Sequence, residues 1–241
     1  MKTLKSIFLS AGLFVGAAGL QAQNPDIKWI EVQGGTYTIG SGSSAHKVVI
    51  NTFYMSATEI TFDQYDAYCT ATGTKKPDDL GWGRGKRPVL NVSWNNVTGY
   101  CQWLSKETED QIRLPDEAEW EYAATGGNRS KGYKYSGSND WKEVSWSEGN
   151  SGGKTRPVGE KKPNELGLYD MSGNLWEMCE DWPVKDSYSV KSGKRNEDIG
   201  AEHAAHGNSY DNPACDPRQA DVHVSFDFGH SNVGFRIVKA K

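Results

Sequence analysis

The chain has 241 residues, of which 36% are hydrophobic and 24% charged, with a formal net charge of −4; that is enough for one globular domain with a real core. A mildly acidic chain without a basic stripe argues against nucleic acid or an anionic membrane surface as partner, and no Gly-rich phosphate loop opens a helix to support nucleotide chemistry. The load of 9 Trp, 11 Tyr and 27 Gly points to an irregular, loop-rich fold packed around rings rather than to a helical bundle.

Residues 1–22 read as a secretory signal. Lys2 and Lys5 precede an apolar run from Ile7 to Leu20, and the small Ala22 ends it, so cleavage is expected after Ala22. Losing both lysines takes the net charge from −4 to −6. The run is too short for a transmembrane anchor and lacks a charged stop, so no membrane-embedded segment is expected. No Cys follows it to carry a lipid. The expected location is exported, periplasm or extracellular, where disulfides are permitted.

Beyond the signal, Trp29–Val32, Gly34-Gly35 and Thr36–Ile39 alternate as a hairpin. Lys47–Ile50 and Phe53–Ser56 read as two further strands. Thr61 caps a helix whose apolar face is Phe62, Tyr65, Tyr68 and Cys69, closed by Gly73. Residues 74–90, rich in Lys, Pro and Gly, form a loop. Ser93 opens a second helix with Val97, Tyr100, Cys101 and Leu104 on one face. Asp116 and Glu119 fit a capping box that starts a third, with Gly126-Gly127 at its end. Loops and short strands fill the rest of the chain.

Four motifs in order carry a family resemblance. They are Pro88–Trp94 with Tyr100–Leu104, Arg113–Ala124, Gly167–Glu177, and the closing Gly234-Phe235-Arg236. Together they resemble the formylglycine-generating enzyme, or sulfatase-modifying factor, domain over residues 27–241. The resemblance implies an α+β fold with low regular secondary structure, distantly C-type-lectin-like. It implies an oxidase that converts a sulfatase cysteine to formylglycine with oxygen and copper(I) held by two cysteines. A fold does not by itself confer an activity, so the site must decide.

The resemblance also implies calcium on the turn from Asp170 to Glu177. Asp170 and Glu177 would give side chains, and Gly173 and Leu175 carbonyls, as a hard cation requires. A plain turn with Asp170 as a local cap is the alternative. The family's other calcium site, near Asn150–Thr155, is not expected here, because no acidic residue matches it.

The four cysteines are Cys69, Cys101, Cys179 and Cys215. Export makes Cys69–Cys101 and, behind it, Cys179–Cys215 the candidate disulfides, with buried thiols as the alternative. After Gly207-Asn208-Ser209-Tyr210, the family's two catalytic cysteine positions fall on Asn212 and Pro217. Neither side chain binds copper(I), which wants thiolate. Cys215 stands between them, so copper is not expected.

Four histidines lie late in the chain: His203, His206, His223 and His230. His203 and His206 would share one face, with Cys215 near a metal, only if that stretch were helical. Some relatives diversify their C-terminal loops, and residues 208–233 have a composition that permits it, although an ordinary Asn-, Ser-, Asp- and Tyr-rich tail looks the same.

The chain therefore reads as a non-catalytic binding or accessory module, a pseudoenzyme for a peptide or glycan ligand. Its candidate rim is Tyr210, Asp211, Asp216, His223 and Phe226. The alternative is a formylglycine-generating oxidase that uses Cys215, with Arg218 and Ser209 orienting substrate.

Overall fold

The computed structural model describes residues 25–40, 45–181, 202–218, 221–225 and 228–241. The expected signal segment and Phe226 lie outside these residues. Strands β1 (Trp29–Val32), β2 (Gly35–Ile39), β3 (His46–Ile50) and β4 (Phe53–Ser56) come first, followed by helix α1 (Phe62–Thr72) and helix α2 (Trp94–Thr108). Next are β5 (Ile112–Arg113), α3 (Glu117–Ala124) and the short α4 (Trp141–Val144). Then β6 (Trp176–Met178), β7 (Glu202–His206), β8 (Asp221–Ser225), β9 (Val233–Gly234) and β10 (Val238–Ala240) complete an α+β fold.

The three long helices start where their caps place them. Thr61, Ser93 and Asp116 each accept from the backbone N–H three residues on, and Gln64, Asn96 and Glu119 close the boxes. Gly73 ends α1 at φ 74°, in the left-handed region where a side chain would be strained.

The expected hairpin of β1 and β2 does not form. β1 pairs antiparallel with β4, and β2 with β3. Gly34 lets the chain turn between them, because a Cβ there would stand 2.3 Å from the Ile50 carbonyl oxygen. One sheet runs β1-β4-β10-β5, and another runs β8-β7-β6-β9, with β6 and β9 parallel.

Two clusters make the core. One packs α1 against α2 with Tyr65, Tyr68, Tyr100 and Phe235, and the other gathers α3 around Trp120 against β2 to β4. Tyr65 and Tyr100 stack at 5.6 Å, with Tyr68 edge-on to both. These rings occupy the space between the helices that carry Cys69 and Cys101. All four cysteines are free, which corrects both expected disulfides. Cys179 lies in the second cluster while Cys215 packs on the first. Among the described residues no helix is long and apolar enough to cross a membrane.

Candidate functional site

The turn from Asp170 to Glu177 crosses the middle of the molecule. Asp170 and Asn174 take positive φ (60° and 72°). Gly173 presses on a neighbouring loop, where a Cβ would meet the Trp146 carbonyl at 2.4 Å. Beneath the turn sit Glu59, Asp170, Glu177 and Arg236, all at most 3% exposed. Glu59 accepts from Leu175 N–H at 3.0 Å and from Asn174 Nδ2 at 2.7 Å. Glu177 spends both oxygens on Arg236, one of them at 2.6 Å from Nη2, and also accepts from Trp120 Nε1 at 2.7 Å. Arg236 donates further to the Tyr169 and Ser56 carbonyls.

Asp170 accepts from Gly159 N–H through Oδ2, but its buried Oδ1 has no partner. Burial pushes Asp170 up to about 6. Burial, then Asp170 and Glu177, push Glu59 well above the usual carboxylate range. Three carboxylates against one guanidinium leave the pocket short of positive charge.

Of the four expected calcium ligands, Asp170 fits a cation through its open Oδ1. Glu177 does not bring a free oxygen, because Arg236 and Trp120 hold both. Among the described residues no three His, Cys, Asp or Glu side chains form a metal-holding group. Of the expected set, Asp170 offers a buried side-chain oxygen without a partner.

The loop from Gly207 to Arg218 covers the next layer. Asn212 ties it down: its Oδ1 accepts from Trp176 Nε1 at 3.1 Å and lies 2.6 Å from the Ser209 hydroxyl, and its carbonyl accepts from Glu148 N–H at 2.9 Å. Asn208 Nδ2 donates to the Pro213 carbonyl at 2.6 Å. Asn212 thus acts as an amide clip where the resemblance places a copper-binding thiolate. Pro217 is buried. Cys215 is half-buried, and burial, then the Asp216 charge, push its thiol up to about 11.

The expected rim separates into parts. Tyr210 is buried, its ring edge-on to Trp82 at 5.2 Å, so it packs the floor instead of facing a ligand. Asp216 is almost fully covered and paired with Arg218. Asp211 is exposed. His223 lies in β8 opposite Ala204, but its side chain is outside the described residues, as is Phe226.

The sequence reading missed Phe228. It is 61% exposed and lies 5.0 Å from the His230 ring. It is brought to the rim because Gly229 packs on the Asn91 backbone and Asn91 N–H donates to the His230 carbonyl. Trp82, on the 74–90 loop, is half-buried against the Tyr210 ring. Both aromatics stood in plain sight in the sequence, but nothing local showed that their two loops meet.

The conditional helix carrying His203 and His206 is a strand, where residues three apart point to opposite faces. His203 stacks on Trp94 at 3.4 Å and His206 on Trp120 at 5.4 Å, with Glu117 3.2 Å from His206 Nε2. Burial lowers the His203 pKa to about 4. The two rings do not converge.

Comparison with known proteins adds four points. Residues 16–241 match the sulfatase-modifying factor enzyme 1-like domain. The chaperone protein LppX of Paenibacillus barcinonensis is 32% identical over 202 residues, 63% of this chain and 70% of that one. The formylglycine-generating enzyme of Mus musculus is 33% identical over 66% of this chain, which spans 46% of the mouse protein. Among solved structures, Treponema denticola variable protein 1 superposes with a TM-score of 0.72 at 26% identity, covering 89% of this chain and 95% of its own.

Proposed function

The chain belongs to the sulfatase-modifying factor enzyme 1-like domain family, and from that premise we propose that it is an exported binding or accessory module for a peptide or glycan, without the family's oxidase chemistry. One observation carries the reading: the loop that would hold two thiolates is clipped by the Asn212 amide, and Pro217 takes the second position. Copper(I) prefers thiolate ligands, and Cys215 is a lone thiol held protonated. Cys179 offers no partner, being fully buried in the other core cluster. The ligand surface in this reading is formed by the exposed Asp211 and Phe228 with the half-exposed Trp82 and His230. Such aromatic surfaces bind with large contact area at low entropy cost. We also take the Asp170 pocket to hold calcium as a structural ion, on the strength of its open oxygen and its excess of carboxylates.

The test is to titrate the purified, reduced protein with copper(I) against a competing chelator while the same sample is offered a sulfatase-type cysteine peptide, followed by mass spectrometry. No stoichiometric copper and no loss of the peptide thiol are expected. Tight copper with conversion, abolished in Cys215→Ser, would replace this reading with the oxidase.

A further inference from the structure

Charge is unevenly spread along this acidic chain. Residues 129–162 hold eight Lys and Arg against four Asp and Glu, a net +4, so the remainder carries −8. The basic residues are too scattered to read as a stripe, but folding gathers several around one indole. Arg156 Cζ lies 4.9 Å from the centre of the Trp146 ring and Lys161 Nζ lies 4.0 Å from it. Lys161 donates to the Lys142 carbonyl at 2.5 Å, and Lys142 Nζ stands 5.8 Å from the Trp141 ring. Lys162 beside them is neutralised by Glu143. Among the described ion pairs none includes Lys142, Arg156 or Lys161. Arg156 Nε is buried with no hydrogen-bond partner. Cation–π contacts hold these groups in place, but they do not cancel the charge.

The patch adjoins the candidate site. Trp146 accepts at its carbonyl from Asn174 N–H, and Glu148 N–H donates to the Asn212 carbonyl. We propose that this patch is the anion-reading part of the ligand surface, and that the ligand is an acidic glycan, a sugar polymer bearing sulfate or carboxylate groups. The inference deepens the binding-module reading and rests on it.

Three arguments favour that occupant. The guanidinium fork of Arg156 suits a sulfate or carboxylate, and the two ammonium groups supply further charge. Residues 129–162 contain α4, turns, the end of a 3-10 helix and one isolated bridge between Tyr135 and Ser138, but no strand, so an extended peptide finds no strand edge for main-chain pairing there. Reading must then come from side chains, as it does for the charged groups of an acidic sugar. The −8 carried by the rest of the chain repels an acidic polymer elsewhere and directs it to this patch.

The experiment measures binding of the full chain to dextran sulfate, neutral dextran, polyglutamate and single-stranded DNA at matched ionic strength. Dextran sulfate is expected to bind and neutral dextran not. The triple variant Lys142→Gln, Arg156→Gln, Lys161→Gln is expected to lose about tenfold or more and to show a shallower salt dependence. Lys47→Gln, Lys75→Gln, Lys106→Gln removes the same charge elsewhere and is expected to change binding less than about twofold. Circular dichroism checks the fold of each variant. If the first triple unfolds, the exposed Lys142→Gln and the Lys161→Gln single variants take its place, each expected to weaken binding where Lys47→Gln does not. Equal losses in both sets, or tighter capture of polyglutamate or DNA, overturn the assignment. Copper(I) titration of the same sample keeps the two readings apart: no glycan and no copper removes this inference and leaves the binding module, whereas copper with turnover removes the module.

Discussion

Arg236 has no exposed surface, so its charge persists only because Glu177 faces it with two oxygens and two carbonyls take further N–H groups. Such a pair is costly to break singly, because the survivor is left buried and uncompensated, at about 3–5 kcal/mol. Arg236→Met is expected to cost about that much in urea unfolding, and adding Glu177→Gln to recover part of it. An equal loss in both would mean that packing, not charge, holds this corner. Cys215 makes the opposite case: a thiol without any cation to lower its pKa. With its pKa near 11, alkylation by iodoacetamide is expected to be slow at pH 8 and to accelerate toward pH 11. Fast alkylation at neutral pH would reveal a thiolate and revive the oxidase.

The helix starts show what short elements contribute here. Three capping boxes lie on three helices, and each side chain satisfies a backbone N–H that water would otherwise reach. Removing such a cap costs about 1 kcal/mol, so Ser93→Ala should lower stability by about that amount. Asp116 differs because its carboxyl is half-buried beside Glu119 and Asp181. Burial, then Glu119, push it up to about 7. An acid whose folded pKa lies above its unfolded value binds the extra proton in the folded state, so its contribution weakens as pH rises from about 4 to 7. Asp116→Asn keeps the cap oxygen and loses this titration. Relative to the parent it is expected to gain at least about 1 kcal/mol between pH 5 and pH 8, measured by urea melts. A constant difference across that range would show that Asp116 is ionised throughout.

At the scale of the whole molecule, the Asp170 turn joins the two core clusters. Leu175 and Trp176 belong to one and Met171 to the other. The pocket below holds more buried carboxylates than cations, so a divalent ion there would stabilise the assembly by linkage to folding. Calcium is expected to raise the melting temperature and EDTA to lower it, and Asp170→Asn to abolish the response while leaving the fold intact. A melting temperature indifferent to both additions would mean that Arg236 and bound protons balance the pocket without a metal.

Sequence by itself determined the features whose causes lie within a few residues. The three caps, the aromatic faces of α1 and α2, and the order of the four motifs all follow from local spacing, and those motifs fixed the family and the α+β fold. Asn212 and Pro217, at the two positions where the resemblance places thiolates, were legible in the same way. What only the tertiary structure decided depends on partners far along the chain. β1 chose β4 over its neighbour β2, with Gly34 packed on the Ile50 carbonyl and the Asn51 and Thr52 backbone where the chain turns away. The stretch around His203-Ala204-Ala205-His206 became a strand because β6 and β8 flank it. Arg236 met Glu177, 59 residues away, Gly229 brought Phe228 to the rim beside Asn91, and Trp146 gathered Arg156 and Lys161. Such contacts follow from how whole elements bury their apolar faces, and no window of adjacent residues contains that information.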